Sequence, residues 1–342
     1  MKVRAFFFLA VMLASGALAQ EISAPGVETV SFTETSPLAG NAELSRRLLS
    51  PLTVVQMRAA LVRAGQSLRD QSVTVANEKF LVHVPPQMPA GGYAALIFVP
   101  AAKVTSLPKG WQSVLDSHGV IFVGAQDSGN NSYDMSRRMP LAVIAAVNAL
   151  HQYKVDPDRV FVGGMSGGSR VAMRLALGYP DLFAGALLNA GSDPLGKLAV
   201  VPPRDLFLHF QEHSRLVYLT GEMDTINLNL DAHSASSMRS LCMFHVERRT
   251  MAGLGHETAD PASLAWGLET LLAPVTVDTE KLAACRAQAD KDAAAALDAV
   301  ETLKTGSRPD EARTRLYETD ARFGGLAAPR SEALNAELGP PT

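Results

Sequence analysis

The sequence predicts an α/β fold, a doubly wound and mostly parallel β-sheet with helices on both faces, followed by a helical appendage. Short apolar runs, typical of strands buried on both faces, recur along the middle of the chain. They alternate with segments of helical periodicity, at a spacing typical of βαβ units. One of these strands passes through a run of glycines directly into a helix. Functional residues are therefore expected in the loops at the carboxyl ends of the strands.

The composition is that of a folded protein with a large core. Of the 342 residues, 47% are hydrophobic and 19% are charged, which excludes a disordered or highly charged tail protein. The net charge is −3 and there is no block of Lys and Arg, so nucleic acid is not an expected partner. The two cysteines form no CxxC motif and no His/Cys cluster. We therefore predict no metal site and no cofactor.

Residues 1–19 have the three regions of a signal peptide. Lys2 and Arg4 precede an apolar run over residues 5–14, and Ala17-Leu18-Ala19 is a small-x-small cleavage pattern. The alternative is a buried N-terminal helix. The apolar run is too short for a membrane anchor. We expect cleavage near Ala19-Gln20 and a mature protein that is periplasmic or secreted, with no membrane anchor.

Export would place Cys242 and Cys285 in an oxidising compartment, where we predict that they form a disulfide. The disulfide would close a loop of 44 residues, a constraint worth about 4 kcal/mol in the chain-entropy model. The alternative is two buried free thiols.

The first two segments of the chain are a lead-in over residues 20–75 and an α/β domain over residues 76–277. In the lead-in, residues 20–50 show little periodicity and predict extended chain, whereas helix-spaced apolar residues predict a helix over 52–68. In the α/β domain, apolar runs predict strands and apolar residues three or four apart predict helices. The predicted strands are 80–84, 94–99, 120–123, 159–162, 186–188, 216–219 and 244–248, and the predicted helices are 111–117, 135–153, 170–177, 205–213 and 261–272.

The composition shifts after Pro274, and residues 278–342 predict a helical appendage. Apolar residues recur every three or four positions over 282–303, which predicts one helix with a narrow apolar stripe. A shorter helix is predicted over 311–323, and the tail over 327–342 is predicted to be loose. The first helix is expected to dock on the sheet domain. The alternative is a coiled coil with a partner helix.

The glycine-rich turn carries the candidate nucleophile. Gly164-Met165-Ser166-Gly167-Gly168 fits the G-x-S-x-G motif and lies between a predicted strand and a predicted helix, as a nucleophile elbow requires. The turn would expose the hydroxyl of Ser166, and the N–H of Gly167 at the helix N-terminus could hold an oxyanion. Met165 would lie on the pocket rim. The alternatives are a glycine-rich turn in an unrelated α/β domain or, more weakly, a phosphate loop, for which the GxxxxGK[ST] pattern is missing.

A serine nucleophile needs a base, and the base needs an orienting carboxylate. Asp224 follows the strand predicted over 216–219, and His256 follows the strand predicted over 244–248. The order Ser166, Asp224, His256 is the one expected for a G-x-S-x-G fold. Asp193, after the strand predicted over 186–188, is the alternative acid.

Two adjacent amides, Asn130 and Asn131, follow the strand predicted over 120–123 and would lie on the rim of the same pocket. There they could bind hydroxyls or carbonyls of a substrate. The alternative is a turn stabilised by Asn and Gly. His209 and His213 lie one helical turn apart without a third ligand, and are expected on a polar helix face.

Residues 80–273 resemble the α/β-hydrolase superfamily, and within it secreted esterases related to polyhydroxybutyrate depolymerases and feruloyl esterases. The resemblance rests on three segments, residues 155–168, 179–183 and 219–224. It implies that Ser166 is the nucleophile, Asp224 the acid and His256 the base.

The chain departs from these esterases at the loop after the strand over 94–99. They often carry His-Gly there, whose backbone N–H completes the oxyanion hole, whereas this chain has Pro100-Ala101. The N–H of Ala101 or Ala102 can replace that donor, but Pro100 has none. Losing one such donor lowers rates by about 100–1000-fold.

The predicted function is an exported serine hydrolase that cleaves a small or polymeric carboxylic ester through an acyl-enzyme. A peptidase or thioesterase would use the same triad on a different acyl substrate. The alternative from another class is a catalytically weak or inactive hydrolase fold reused as a binding or scaffold protein of the cell envelope, with a protein partner on the C-terminal helix.

Overall fold

The computed structural model describes residues 26–339, so the predicted signal peptide and its cleavage site lie outside the described residues. Eight strands form one sheet in the order β1-β2-β4-β3-β5-β6-β7-β8. Strand β2 is antiparallel to both of its neighbours, and the pairings from β4 to β8 are all parallel. The strands are β1 Gly26–Val30, β2 Phe80–Val84, β3 Tyr93–Val99, β4 Val120–Ala125, β5 Val155–Met165, β6 Gly185–Asn189, β7 Arg215–Gly221 and β8 Val246–Met251.

Helices cover both faces of the sheet and continue after it. The helices are α1 Asn41–Leu48, α2 Pro51–Arg63, α3 Trp111–His118, α4 Met139–Gln152, α5 Gly167–Gly178, α6 Arg204–His213, α7 Thr225–Ser240, α8 Pro261–Leu272, α9 Thr279–Thr305, α10 Pro309–Phe323 and α11 Arg330–Leu338. One π-helical turn over residues 134–138 leads into α4. The predicted α/β fold with a mostly parallel sheet is confirmed. No helix between residues 26 and 339 is both long and apolar enough to cross a membrane.

The core has two layers because successive side chains of a strand point to opposite faces. Along β3, Ala95, Ile97 and Val99 face the layer that includes α4 and α5. Leu96 and Phe98 face the layer that includes α3 and α8. Every residue of β3 is buried, so its sequence is a continuous apolar run. The strand could therefore be predicted from the sequence with nearly correct bounds.

The lead-in and the tail differ from their predicted structure. The lead-in contains strand β1 and helix α1 where extended chain was expected. The tail contains helix α11 where loose chain was expected, so that prediction is wrong. Helix α7 was not predicted at all, and its buried residues include the polar Asn227, Asp231 and Ser234. A polar buried face produces no apolar periodicity, and such a helix escapes a search based on hydrophobic spacing.

The appendage, helices α9–α11, packs against the rest of the chain. Its inner face forms a small core with Leu52 of α2. The predicted pairing of the cysteines is present as a disulfide between Cys242 and Cys285, with the Cα atoms 5.7 Å apart. Arg204 of α6 also forms a two-pronged ion pair with Asp290 of α9. The apolar stripe of α9 is therefore covered within this chain, which fits the docking expectation rather than a coiled coil with a partner.

Candidate active site

Ser166 lies on a sharp turn between β5 and α5. Its backbone is in a positive-φ conformation, with φ 57° and ψ −119°, which costs energy for a residue with a side chain. The turn is possible only because its neighbours lack side chains. A Cβ on Gly164 would lie 2.4 Å from the carbonyl oxygen of Gly168, and one on Gly168 would lie 2.0 Å from the carbonyl oxygen of Val99. The glycines thus let strand and helix approach closely enough to raise the hydroxyl above the sheet edge.

The structure brings the three predicted triad residues together. The Nε2 atom of His256 is 2.9 Å from the Oγ atom of Ser166. The Nδ1 atom of His256 is 2.6 Å from the Oδ2 atom of Asp224. The side chain of Asp224 is 8% exposed and that of His256 is 47% exposed. The arrangement allows the imidazole to accept a proton from Ser166 while the carboxylate orients it.

Asp224 is held as an anion by several donors. The side-chain amide of Asn227 donates to both carboxylate oxygens of Asp224, at 3.0 and 2.8 Å, and the backbone N–H of Asn227 donates at 3.3 Å. Burial raises the pKa of the Asp224 carboxyl, but the hydrogen bonds from His256 and Asn227 outweigh it and hold the pKa below its ordinary value. The carboxylate is therefore available to stabilise an imidazolium at neutral pH.

Asn227 is itself held by a second row of charged groups. Arg170 of α5 donates to the Oδ1 atom of Asn227 at 3.0 Å and to Asp193 at 3.2 Å. Arg174 donates to the other oxygen of Asp193 at 2.5 Å. The alternative acid Asp193 is thus buried and paired with two arginines, and its described hydrogen bonds do not include His256. Arg170 connects it to Asn227, which in turn donates to Asp224.

The buried polar residues of α7 were not predicted from the sequence. Asp231, one turn after Asn227 on α7, accepts hydrogen bonds from Ser192 after β6 and Thr220 in β7, each at 2.5 Å. Burial raises the pKa of the Asp231 carboxyl, and this effect exceeds the lowering by those two hydrogen bonds. The available signal was the spacing of polar residues four apart, which indicates one helix face, but α7 had not been recognised.

The loop after β3 and the loop after β4 form the opposite side of the site. Arg138 is buried, with 4% of the residue exposed. Its guanidinium donates to the carbonyl oxygens of Ser128 at 2.9 Å and Pro100 at 3.1 Å. The backbone N–H of Asn130 donates to the carbonyl oxygen of Ala101 at 2.8 Å. Over residues 26–339, the backbone N–H groups of Ala101 and Ala102 donate no hydrogen bond, so both remain free for a ligand.

The remaining predicted residues occupy different positions. Asn130 and Asn131 are both exposed, and the side-chain amide of Asn130 lies against Gly167. Met165 is buried and packs in the core layer with α3 and α8, so the prediction that it lies on the rim is wrong. The rings of His209 and His213 stack 4.2 Å apart. Within the described residues, no three His, Cys, Asp or Glu side chains are placed to hold a metal ion.

No family model matches this sequence. Two curated relatives are similar to parts of it. The poly(3-hydroxybutyrate) depolymerase of Ralstonia pickettii is 32% identical over 98 residues, 25% of this chain and 20% of that protein. The poly(3-hydroxyalkanoate) depolymerase C of Paucimonas lemoignei is 31% identical over 153 residues, 40% of this chain and 37% of that protein. The matches thus span between a fifth and two fifths of the relatives' length.

Solved structures of hydrolases are similar in fold. A ferulic acid esterase is 13% identical with a TM-score of 0.44, and the match covers 72% of this chain and 98% of that one. An S-formylglutathione hydrolase from Staphylococcus aureus is 12% identical with a TM-score of 0.45, covering 72% of this chain and 95% of that one.

Proposed function

We propose that this chain is a serine hydrolase of the α/β-hydrolase type that cleaves carboxylic esters. The observation that carries the proposal is the unbroken hydrogen-bonded row from Ser166 through His256 to Asp224. Each of the three residues follows a different strand, and together they form the nucleophile, base and orienting acid of a triad. The two depolymerase relatives support an ester as the substrate.

The reaction follows from the geometry. Ser166 Oγ attacks the ester carbonyl carbon while His256 Nε2 takes the hydroxyl proton. The tetrahedral intermediate collapses, the C–O bond to the alcohol breaks, and Nε2 gives the proton to the departing alkoxide. Water then gives a proton to Nε2 as its oxygen attacks the acyl carbon. The bond between that carbon and Ser166 Oγ breaks, Nε2 returns the proton to Oγ, and the acid is released. Asp224 stays ionised throughout and stabilises the imidazolium.

The negative charge on the carbonyl oxygen needs donors. The N–H of Gly167 is at the first position of α5, where it has no partner within the helix. The N–H of Ala101 or Ala102 supplies a second donor from the loop after β3. Each such donor is worth about 100–1000-fold in rate. The loop after β3 therefore keeps a backbone donor for the oxyanion hole, although Pro100 has no N–H.

We propose a polyester of 3-hydroxyalkanoates as the substrate, the polymer class named for both curated relatives. Two features support a polymer. Nearly half of the His256 side chain is exposed, so the site is open. Three large apolar side chains near it are also exposed, Tyr133 after Asn130 and Asn131, and Met223 and Ile226 beside Asp224. Exposed apolar groups around an open site fit a wide apolar surface.

We further propose that the protein is exported and acts in the periplasm or, as a secreted protein, in the medium. The signal-like residues 1–19 and the disulfide between Cys242 and Cys285 support this, since disulfides persist in oxidising compartments. Mass spectrometry of the protein from the cell envelope and medium would test it, with a mature N-terminus at Gln20 expected. An intact Met1 in the cell interior would overturn it.

Turnover tests the proposed activity. Purified protein is given p-nitrophenyl butyrate and, separately, a suspension of poly(3-hydroxybutyrate). Both should be hydrolysed, and Ser166→Ala and His256→Ala should lose at least about 1000-fold in kcat. His233→Ala, an exposed histidine on α7, is the matched control and should keep full activity. Equal activity of Ser166→Ala and wild type would refute the triad, and no turnover of any ester would favour the binding alternative.

A further inference from the structure

We infer that Asn130 is an additional catalytic residue, whose side-chain NH2 donates to the substrate oxygen as that oxygen becomes an oxyanion. The inference rests on the proposed ester hydrolysis and names one more residue of the same site. It extends the oxyanion hole beyond the two backbone donors, since it adds a side chain from the loop after β4.

The position of Asn130 is set by its contact with Gly167. A Cβ on Gly167 would lie 2.4 Å from Oδ1, 3.0 Å from Cγ and 3.3 Å from Nδ2 of Asn130. The amide therefore lies directly against the residue that follows the nucleophile, and that residue carries the first proposed oxyanion donor. A side chain on Gly167 would collide with this amide, so a glycine is needed here to leave space for Asn130.

The orientation of the amide is set by Arg138. A guanidinium can only donate hydrogen bonds, and Nη2 of Arg138 lies 3.1 Å from Oδ1 of Asn130. The oxygen end of the amide therefore faces Arg138, and Nδ2 is the other end. Within residues 26–339, Nδ2 of Asn130 makes no hydrogen bond, which leaves both of its N–H groups for a ligand.

Asn130 is exposed, but one side-chain and one backbone hydrogen bond fix its position before a substrate binds. The backbone N–H of Asn130 is tied to Ala101, and Arg138 is buried and tied to Ser128 and Pro100. Asp134 also pairs with Arg138 at 3.0 Å. Donors fixed before the reaction are the ones that stabilise a developing charge most, because nothing must reorganise as the charge forms. Pro100 has no backbone N–H to donate. Its loop is connected through Arg138 to the side chain of Asn130, which has two N–H groups.

The test compares three variants with wild type on p-nitrophenyl butyrate. Asn130→Asp keeps the size and the contact with Arg138 but replaces the NH2 by an acceptor, and Asn130→Ala removes the amide. Both should lower kcat by about 100-fold, the lower range for losing one oxyanion donor, with KM changed by less than about threefold. Asn229→Ala, at an exposed asparagine on α7, is the matched control and should behave as wild type.

A trifluoromethyl ketone, which forms a tetrahedral adduct with a serine nucleophile, gives a second readout. Its inhibition constant should rise in both Asn130 variants by a factor similar to the fall in kcat, because the adduct carries the same oxyanion. Urea unfolding midpoints equal to wild type would show that Asn130→Asp folds normally.

Three results would overturn the inference. One is wild-type kcat and inhibitor affinity in folded Asn130→Asp and Asn130→Ala. Another is a rise in KM alone, which would make Asn130 a ground-state contact. The third is no ester turnover by wild type, which would refute the proposed function together with this inference. Failure of the inference alone is recognised because wild type then turns over, Ser166→Ala does not, and the Asn130 variants match wild type.

Discussion

Replacing Gly168 by alanine should disrupt the turn that carries Ser166. The new Cβ would lie 2.0 Å from the carbonyl oxygen of Val99 and 3.1 Å from that of Pro100. Ordinary contact begins near 3.4 Å, so the atoms must separate by about 1.4 Å. Both obstacles are backbone, and no side-chain rotation can relieve the clash. Strand β3 or the start of α5 must move.

Two magnitudes follow from that movement. Overpacking a tight site typically costs about 1–3 kcal/mol, which exceeds the gain of up to about 1 kcal/mol that alanine offers over glycine inside a helix. A displacement of about 1 Å at a catalytic group costs about 100-fold in rate. Gly168→Ala should therefore lower both the free energy of unfolding and kcat.

The assay is urea unfolding followed by fluorescence, with turnover of p-nitrophenyl butyrate measured in parallel. Gly255→Ala is the matched control, since Gly255 directly precedes His256 and a Cβ there would meet nothing within 4 Å. We expect the control to stay within about 0.5 kcal/mol of wild type, as ordinary surface substitutions do. Wild-type stability and activity in Gly168→Ala would show that strand β3 and the start of α5 do not approach this closely.

Three further predictions concern the acid and the appendage. Asn227→Ala should lower kcat by at least about 10-fold with KM unchanged, because a hydrogen bond to a charged group contributes about 1.5–3 kcal/mol; an unchanged kcat would show that Asp224 does not need this donor. The pKa of Asp224 is held below its ordinary value of 3.8, so its ionised form adds stability that is full above that value and lost as the pH falls through the lower folded pKa. Urea unfolding should show the advantage of wild type over Asp224→Asn shrinking below about pH 3.8, and an advantage that grows on acidification would contradict it. The double variant Cys242→Ala, Cys285→Ala should lose about 4 kcal/mol in the same assay while keeping kcat, and a lost kcat would connect the appendage to the site.

The parts of the fold that follow apolar patterning could be predicted from the sequence. Every residue of β3 and β4 is buried, and both strands were located within a residue or two. The elbow at Ser166 was found because the motif, the preceding strand and the following helix coincide. The positions of Asp224 and His256 followed because parallel strands end at one edge of the sheet.

The parts that depend on polar contacts could not be predicted. Helix α7 buries Asn227 and Asp231, and buried polar residues look like surface residues in a sequence. The pairing of Asp193 with Arg170 and Arg174 depends on three-dimensional contacts over about twenty residues of chain. The contact of Asn130 with Gly167 joins two loops that only the sheet brings together. Such contacts carry no periodic signal, although they set the geometry of the triad.

The proposed function requires Ser166 to be an activated nucleophile. The most direct measurement is labelling of the mature protein with a fluorophosphonate, followed by peptide mapping. We expect one phosphonylated residue, Ser166, with labelling lost in Ser166→Ala and at least about 100-fold slower in His256→Ala. Absence of label on folded wild type, or label on another serine, would contradict it.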